Sequence, residues 1–330
     1  MEHVRLGRTG LQVSRLCLGT MTFGLQCDEA TSRAILDAAA DAGVTFVDTA
    51  DVYPLGGTLE TAGRTEEIIG RWLRGRREQF ILATKCVGKM GLAPWDQGAS
   101  RKHIFSALDA SLKRLGTDYV DLYQLHHYDT ATPIEESLEA LDTVVRSGKA
   151  RYVGCSNFHA WQIARGLGKS ETRRLARFAT VQPRYNLLFR QIERELLPLC
   201  LDEKLGVLPY NPLAGGLLSG KYDRTQPPPD GTRFTTGTAS SMYQERYWHE
   251  REFETVSALA ELAKENGVSL VTLAVAWVLA NPAVTSPIIG ASRPEQLGAS
   301  VAAADLKLAP ELKQRLDDLT RDYRMGDAAR

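Results

Sequence analysis

Asp48, Tyr53, Lys85 and His126 occur in that order in the segments TFVDTADVY, FILATK and VDLYQLH, each of which reads as a strand running into a loop. Their types suit proton transfer. A tyrosine hydroxyl has an ordinary pKa of about 10, poorly matched to proton transfer at neutral pH, and a nearby ammonium lowers it. Lys85, buried at a strand end, tends to lose its own proton, and Asp48 holds that charge by pairing with it. A histidine from the next strand polarises a carbonyl oxygen. Together they make an oxyanion pocket that also delivers a proton, as carbonyl reduction or its reverse requires.

Each residue alone has a plainer reading: Asp48 as a turn former, Tyr53 as a rim aromatic, Lys85 as a surface charge and His126 as a satisfied core histidine. Complementary roles on successive strand ends favour the chemical reading. The adjacent His126 and His127 raise a metal, but neighbouring strand residues face opposite ways and no further spacing completes a ligand set, so no metal is expected.

Chemistry drawn from successive strand ends calls for a barrel that points them at one mouth. Short β-rich runs alternate with stretches of helical period, as a parallel sheet with crossover helices demands. The runs RLCLGTM, TFVDTA, FILATK, VDLYQLH, ARYVGCS, ATVQPRY, GVLPYNP and SPIIGAS number eight, which is the closed-barrel count. The expected fold is α/β, a (β/α)8 TIM barrel with an N-terminal β-hairpin in VRLGRTGLQVS plugging its bottom and a C-terminal covering helix over 310–323. One domain over 1–330 is expected.

Local signals place several helices. Ser100 reads as an N-cap, with Ile104, Leu108, Leu112 and Leu115 on one face and Gly116 as the stop. The next helix has Thr132 and Glu135 in a capping-box pattern, Pro133 at its first position, a stripe of Ile134, Leu138, Leu141 and Val145, and Gly148 at its end. Two more helices are expected near 253–265 and 269–279. The stretch between GVLPYNP and these helices is far longer than an ordinary connection, and reads either as a flap over a ligand or as an irregular insertion.

Lysine plus arginine equals aspartate plus glutamate at 40 each, so no overall charge draws the chain to nucleic acid or an anionic membrane. The longest nearly apolar run, LVTLAVAWVLA, falls well short of the roughly 20 residues of a membrane helix. A soluble, cytoplasmic protein is expected. The cysteines Cys17, Cys27, Cys86, Cys155 and Cys200 are widely spaced and form no CxxC pair, as reduced buried thiols would.

These features, with LGTMTFG at 18–24, DTADVY, DLYQLHH, GCSNF at 154–158, VQPRYN at 181–186, YNPLAGGLLSGKY and IIGASRPEQL, resemble the aldo-keto reductases over nearly the whole chain. The resemblance implies Tyr53 as general acid, His126 orienting the carbonyl, and Asp48 and Lys85 tuning the tyrosine. It also implies a nicotinamide cofactor, with Ser156, Asn157 and Gln182 about the carboxamide, Tyr210 stacked on the ring, and Gly19, Thr20, Met21 and Asp48 near it. Asn211, Pro212, Leu213, Gly215 and Lys221 are then the segment that follows the pyrophosphate, with Arg233 closing over it. Gly290, Ser292, Arg293 and Gln296 resemble the segment that grips the adenosine end, where Arg293 meeting a 2′-phosphate favours NADPH (NADP+) over NADH. The family's later acidic residue and asparagine are replaced here by Ala299 and Ser300, which weakens the adenine contacts. Residues 215–221 also spell the opening of a P-loop, but Tyr222 stands where a serine or threonine would hold magnesium, and no GxGxxG follows any strand.

The implied partner is a small-molecule carbonyl or alcohol, met by Tyr53 and His126 and by a pocket wall of Phe23, Trp95 and Tyr128. A rival reading is a nicotinamide-binding regulatory or sensing subunit, as in the potassium-channel β subunits that resemble the same family. A barrel hydrolase using carboxylates is a third. Oligomeric state and reaction direction have no signature in the chain.

Overall fold

The structure, a computed structural model, describes residues 1–325. An antiparallel hairpin, β1 (His3–Arg5) against β2 (Gln12–Ser14), opens the chain as expected. Eight parallel strands follow: β3 (Cys17–Gly19), β4 (Phe46–Asp48), β5 (Ile81–Cys86), β6 (Val120–Leu125), β7 (Ala150–Ser156), β8 (Phe178–Gln182), β9 (Gly206–Val207) and β10 (Ile288–Ile289). They pair in chain order, and β10 returns to β3. Backbone bonds from Ile288 N to Pro209 O and from Thr285 N to Val207 O tie the last strand to the segment of β9, closing the ring.

The helices α1 (Glu29–Asp41), α2 (Arg64–Leu73), α3 (Arg101–Leu115), α4 (Ile134–Arg146), α5 (Ala160–Arg173) and α6 (Leu196–Asp202) follow β3 to β8 in turn. The long connection after β9 contains α7 (Ser240–Tyr247), then α8 (Glu250–Glu265) and α9 (Leu270–Leu279) lead to β10. Beyond it lie α10 (Leu297–Ala302) and α11 (Pro310–Leu319). The covering helix is held by Asp317, which accepts from Trp277 Nε1 at 2.9 Å and pairs with Arg190 at 3.2 Å, and by buried Leu316.

Strand residues alternate between two cores, because successive side chains leave a strand on opposite faces. Leu18, Val47, Leu82, Tyr123, Val153 and Val181 join the large cluster shared with the helices. Cys17, Phe46, Ala83, Leu122, Leu208 and Ile288 fill the barrel interior, where Leu6 and Val13 of the hairpin join them as the plug. Two residues further along β4, β5 and β6, the same inward face carries Asp48, Lys85 and Gln124. The barrel is therefore apolar below and polar at its C-terminal mouth.

The α3 signals hold: Ser100 accepts from His103 N, and Gly116 ends the helix at φ 64°. The α4 start differs. Pro133 is the N-cap and no side chain caps this helix. Thr132 therefore lies one residue too far out for a capping box, and donates instead to Asp129 at 2.7 Å while Glu135 pairs with Lys169 at 3.0 Å. Gly148 follows the helix at φ 77°, and Val145 is only partly buried at the edge of the stripe.

The plug depends on Gly7, whose φ is +57° and where an added Cβ would sit 2.5 Å from Gly206 N. Gly7→Ala should lower stability by about 2 kcal/mol or more through strain and overpacking. Gly10→Ala, with nothing within 4 Å of the new methyl, should change it by less than about 0.5 kcal/mol. Urea melts measure both, and equal midpoints would refute the account of the plug.

Candidate active site

Register brings the polar residues together. Asp48 sits opposite Ala83 and Lys85 opposite Gln124, so inward side chains from neighbouring strands meet at one level. Lys85, with no exposed surface, donates to Asp48 Oδ1 at 2.5 Å, to Thr49 O at 2.8 Å and to the Tyr53 hydroxyl at 3.4 Å. The other oxygen of Asp48 accepts from Gln182 Nε2 at 2.9 Å and from Gln124 Nε2 at 3.2 Å. His126, which extends β6 by donating its backbone N–H to Cys86 O, presents its ring to the edge of Tyr53 with centroids 5.8 Å apart. All four expected catalytic residues thus converge.

Their electrostatics depart from expectation at Tyr53. Burial raises its pKa above the ordinary 10, and the nearby Lys85 only partly opposes this. The ammonium therefore does not lower the hydroxyl overall, because a desolvated phenolate is too costly. Burial pulls Lys85 down, but Asp48 and Tyr53 more than offset it, so the lysine holds its proton more tightly than usual. His126 is driven well below the usual imidazole value of 6.5 by burial, then by Lys85 and His127. The mouth thus holds one persistent cation beside a neutral imidazole and a protonated phenol.

The residues expected near a nicotinamide lie around this centre, several already committed. Gln182 and Thr20 both serve Asp48, Thr20 through its backbone N–H at 3.1 Å and its hydroxyl at 2.9 Å to Asp48 O. Ser156 donates to Gln182 O at 2.8 Å. Asn157, at φ 58°, donates to His126 O at 2.9 Å and accepts from the Tyr210 hydroxyl at 2.8 Å. Gly19 has a packing reason to be glycine, since a Cβ there would lie 2.6 Å from Ile288. Met21 is partly buried.

Beyond Tyr210 the chain makes a turn with Asn211 at φ 63°, Ala214 at 50°, Gly215 at 71° and Gly216 at 100°, with Pro212 and Leu213 between. Lys221, Arg233 and Arg293 approach one another nearby: burial, Arg293 and Arg233 all lower the Lys221 pKa. None of the three has a carboxylate partner among the described residues. Arg233 Nη2 would lie 3.8 Å from a Cβ on Gly290, and Ser292 N donates to Gln296 Oε1 at 2.8 Å.

The expected substrate wall is only partly assembled. Phe23 has no exposed surface and packs in the helix-side core, so it cannot line a pocket in this arrangement. Tyr128 lies against Phe158 at 5.2 Å and Trp161 at 5.9 Å. Trp95 is 54% exposed with Lys102 over its ring at 5.6 Å. The sequence does not single out Gln124, although a polar residue between Leu122 and His126 on the inward face of β6 was a usable signal. No group of three or more metal-ligating side chains is found among the described residues, and no single described helix is long and apolar enough to cross a membrane.

Residues 15–321 match the model of the aldo/keto reductase family. An uncharacterized oxidoreductase, YrpG, of Bacillus subtilis is 44% identical over 326 residues, 97% of this chain and 96% of that protein. A probable voltage-gated potassium channel subunit beta of Oryza sativa is 39% identical over 96% of each chain. Versiconal hemiacetal acetate reductase of Aspergillus parasiticus is 33% identical, again over 96% of each.

The depressed pKa of His126 has a stability consequence. Below its unfolded value of 6.5 the unfolded chain takes up a proton that the folded chain refuses, so stability falls as pH falls. Over the first pH unit below that value, the wild type should lose up to about 1.4 kcal/mol more than His126→Gln in urea melts. Equal losses would mean that the imidazole protonates freely in the fold.

Proposed function

The chain belongs to the aldo/keto reductase family, and on that premise we propose that it is an NADP(H)-dependent oxidoreductase interconverting aldehydes or ketones and alcohols, with Tyr53 as general acid and base. The observation that carries this reading is the contact of a buried, ion-paired Lys85 with the Tyr53 hydroxyl, with His126 beside the same ring.

The residues fit the cofactor. Three cations without a carboxylate partner among the described residues, with Lys221 depressed by burial and then by Arg293 and Arg233, suit a polyanion, since an anion would offset that repulsion. Lys221 and Arg233, with the turn of Asn211, Pro212, Leu213 and Gly215, would hold the diphosphate. Arg293, with Gly290, Ser292 and Gln296, would hold the adenosine end, and its lack of an acidic partner among the described residues favours a 2′-phosphate. Gln182, whose Nε2 is committed to Asp48, keeps Oε1 for the carboxamide beside Ser156 and Asn157, and Tyr210 offers its ring face. When bound, the reduced nicotinamide supplies the hydride that reaches the carbonyl carbon.

The chain's own groups do the rest. Neutral His126 donates an N–H to the carbonyl oxygen and fixes its direction. Tyr53 releases its proton to the same oxygen as negative charge builds there, and Lys85 stabilises the phenolate left behind. Asp48, pinned by Gln124 and Gln182, keeps Lys85 charged and in place. Alcohol oxidation runs these steps backwards. A raised tyrosine pKa suits the reductive direction, because the acid is fully protonated at neutral pH.

A second reading has support in the rice relative named as a channel subunit: a nicotinamide-binding sensor that turns over slowly. Steady-state oxidation of NADPH with a panel of aldehydes and ketones separates the two. Under the enzyme reading, Tyr53→Phe should lower kcat by about 10²- to 10⁴-fold with NADPH affinity nearly unchanged. Wild-type rates in that variant would sink the assignment of the acid, and binding without turnover in either protein would favour the sensor. Arg293→Ala should weaken NADPH by roughly tenfold and leave NADH almost untouched, as loss of a charge-assisted bond predicts. Equal losses for both cofactors would remove the arginine from the 2′-phosphate.

A further inference from the structure

Tyr247, the last residue of α7, is fully buried, and its hydroxyl receives two side-chain amides. Asn186 Nδ2, just beyond β8, reaches it at 3.1 Å, and Asn211 Nδ2, just beyond β9, at 3.0 Å. Both asparagines also bond elsewhere. Asn186 Nδ2 also donates to Asn211 O at 2.9 Å, while its Oδ1 accepts from Leu188 N at 2.9 Å. Asn211 Oδ1 accepts from Gly215 N at 2.6 Å. One phenol oxygen therefore sits at the junction of three separate segments.

The junction holds a turn that the backbone would not keep unaided. Asn211 and Ala214 are in the left-handed region at φ 63° and 50°, where a side chain is disfavoured unless its surroundings over-determine it. The Asn211 amide supplies that constraint only while it is itself oriented, with Oδ1 towards Gly215 and Nδ2 towards Tyr247. The helix also lies close on the turn, since a Cβ on Gly215 would stand 2.8 Å from the Tyr243 ring.

We propose that Tyr247 is a positioning residue, whose hydroxyl locks the turn after β9 in the shape that receives the cofactor diphosphate and makes that shape depend on folding of α7. This rests on the reading of the turn as cofactor-binding. Tyr247 touches neither Tyr53 nor the reacting carbon, so its effect falls on cofactor affinity and not on proton transfer. The long connection after β9 acquires a purpose: its helix returns to brace the loop from which it departed.

Tyr247→Phe keeps the ring and deletes the oxygen. Titration with NADPH, followed by nicotinamide fluorescence without substrate, should show a rise in Kd of about tenfold. At saturating NADPH kcat should stay within about twofold, and protease should cut the cofactor-free chain faster between 211 and 247. Tyr323→Phe removes a hydroxyl bonded to Thr255 at 2.9 Å and to Arg251 O at 3.4 Å, neither of them part of the junction, and should match the wild type in all three. Asn186→Ser deletes one of the two donors, should move Kd the same way by less, and decides the matter if Tyr247→Phe does not fold. Wild-type affinity and cleavage in these variants would overturn the proposal, as would a loss confined to kcat. A wild type that binds no nicotinamide dinucleotide would instead overturn the functional reading, and the cleavage rates would still decide whether the hydroxyl holds the turn.

Discussion

The Lys85–Asp48 pair is the constraint around which the barrel mouth is built. Taking two charges out of water costs several kcal/mol per ion, recovered only when geometry is good and every remaining donor and acceptor is used. Here the three ammonium protons have three acceptors, Asp48, Thr49 O and the Tyr53 hydroxyl. The second carboxylate oxygen takes an amide from each of Gln124 and Gln182. Satisfying one ion pair thus commits β4, β5, β6 and β8 to a single register, and a slip of one residue would turn Asp48 outward into the apolar layer under the helices.

The same burial sets three protonation states at once. It raises Tyr53 and depresses His126, while Asp48 keeps Lys85 charged. These outcomes are linked, since the retained charge on Lys85 is one reason that His126 stays neutral. Removing Asp48 would not simply delete a carboxylate; it would leave an unpaired buried ammonium and disturb the states of both neighbours.

Away from the pair, the long connection after β9 is organised by its own aromatic cluster. Buried Phe234 meets Trp248 at 4.7 Å and Tyr222 at 5.2 Å, and Trp248 meets Phe253 at 5.0 Å. Its backbone also touches the loop that carries Tyr53: Thr238 N donates to Gly56 O at 3.1 Å, and a Cβ on Gly237 would stand 2.5 Å from the same oxygen. A segment that reads as an insertion in one dimension is thereby fastened to both the loop that carries Tyr53 and the turn beyond Tyr210.

The strands, the crossover helices, the hairpin plug and the four catalytic candidates were legible in the chain because each has a local cause: period-2 and period-3.6 patterns, caps, and polar residues at strand ends. What no local pattern carries is partner choice. Thr132 and Glu135 spelled a capping box, yet Pro133 shifted the helix start and sent both side chains elsewhere. Phe23 looked like a pocket wall but is enclosed, since the chain itself says that an aromatic lies near the mouth and not which way it faces. Tyr53 was expected to be lowered by its lysine, whereas the depth of burial decided the opposite. Gln124 and Tyr247 acquire their roles only where strands and helices distant in sequence place an amide or a hydroxyl within 3.2 Å of a waiting partner. Residue type and spacing along the chain determined the fold and which groups reach the mouth; desolvation and the pairing of buried polar atoms, which exist only once the barrel closes, decided their charge states and contacts.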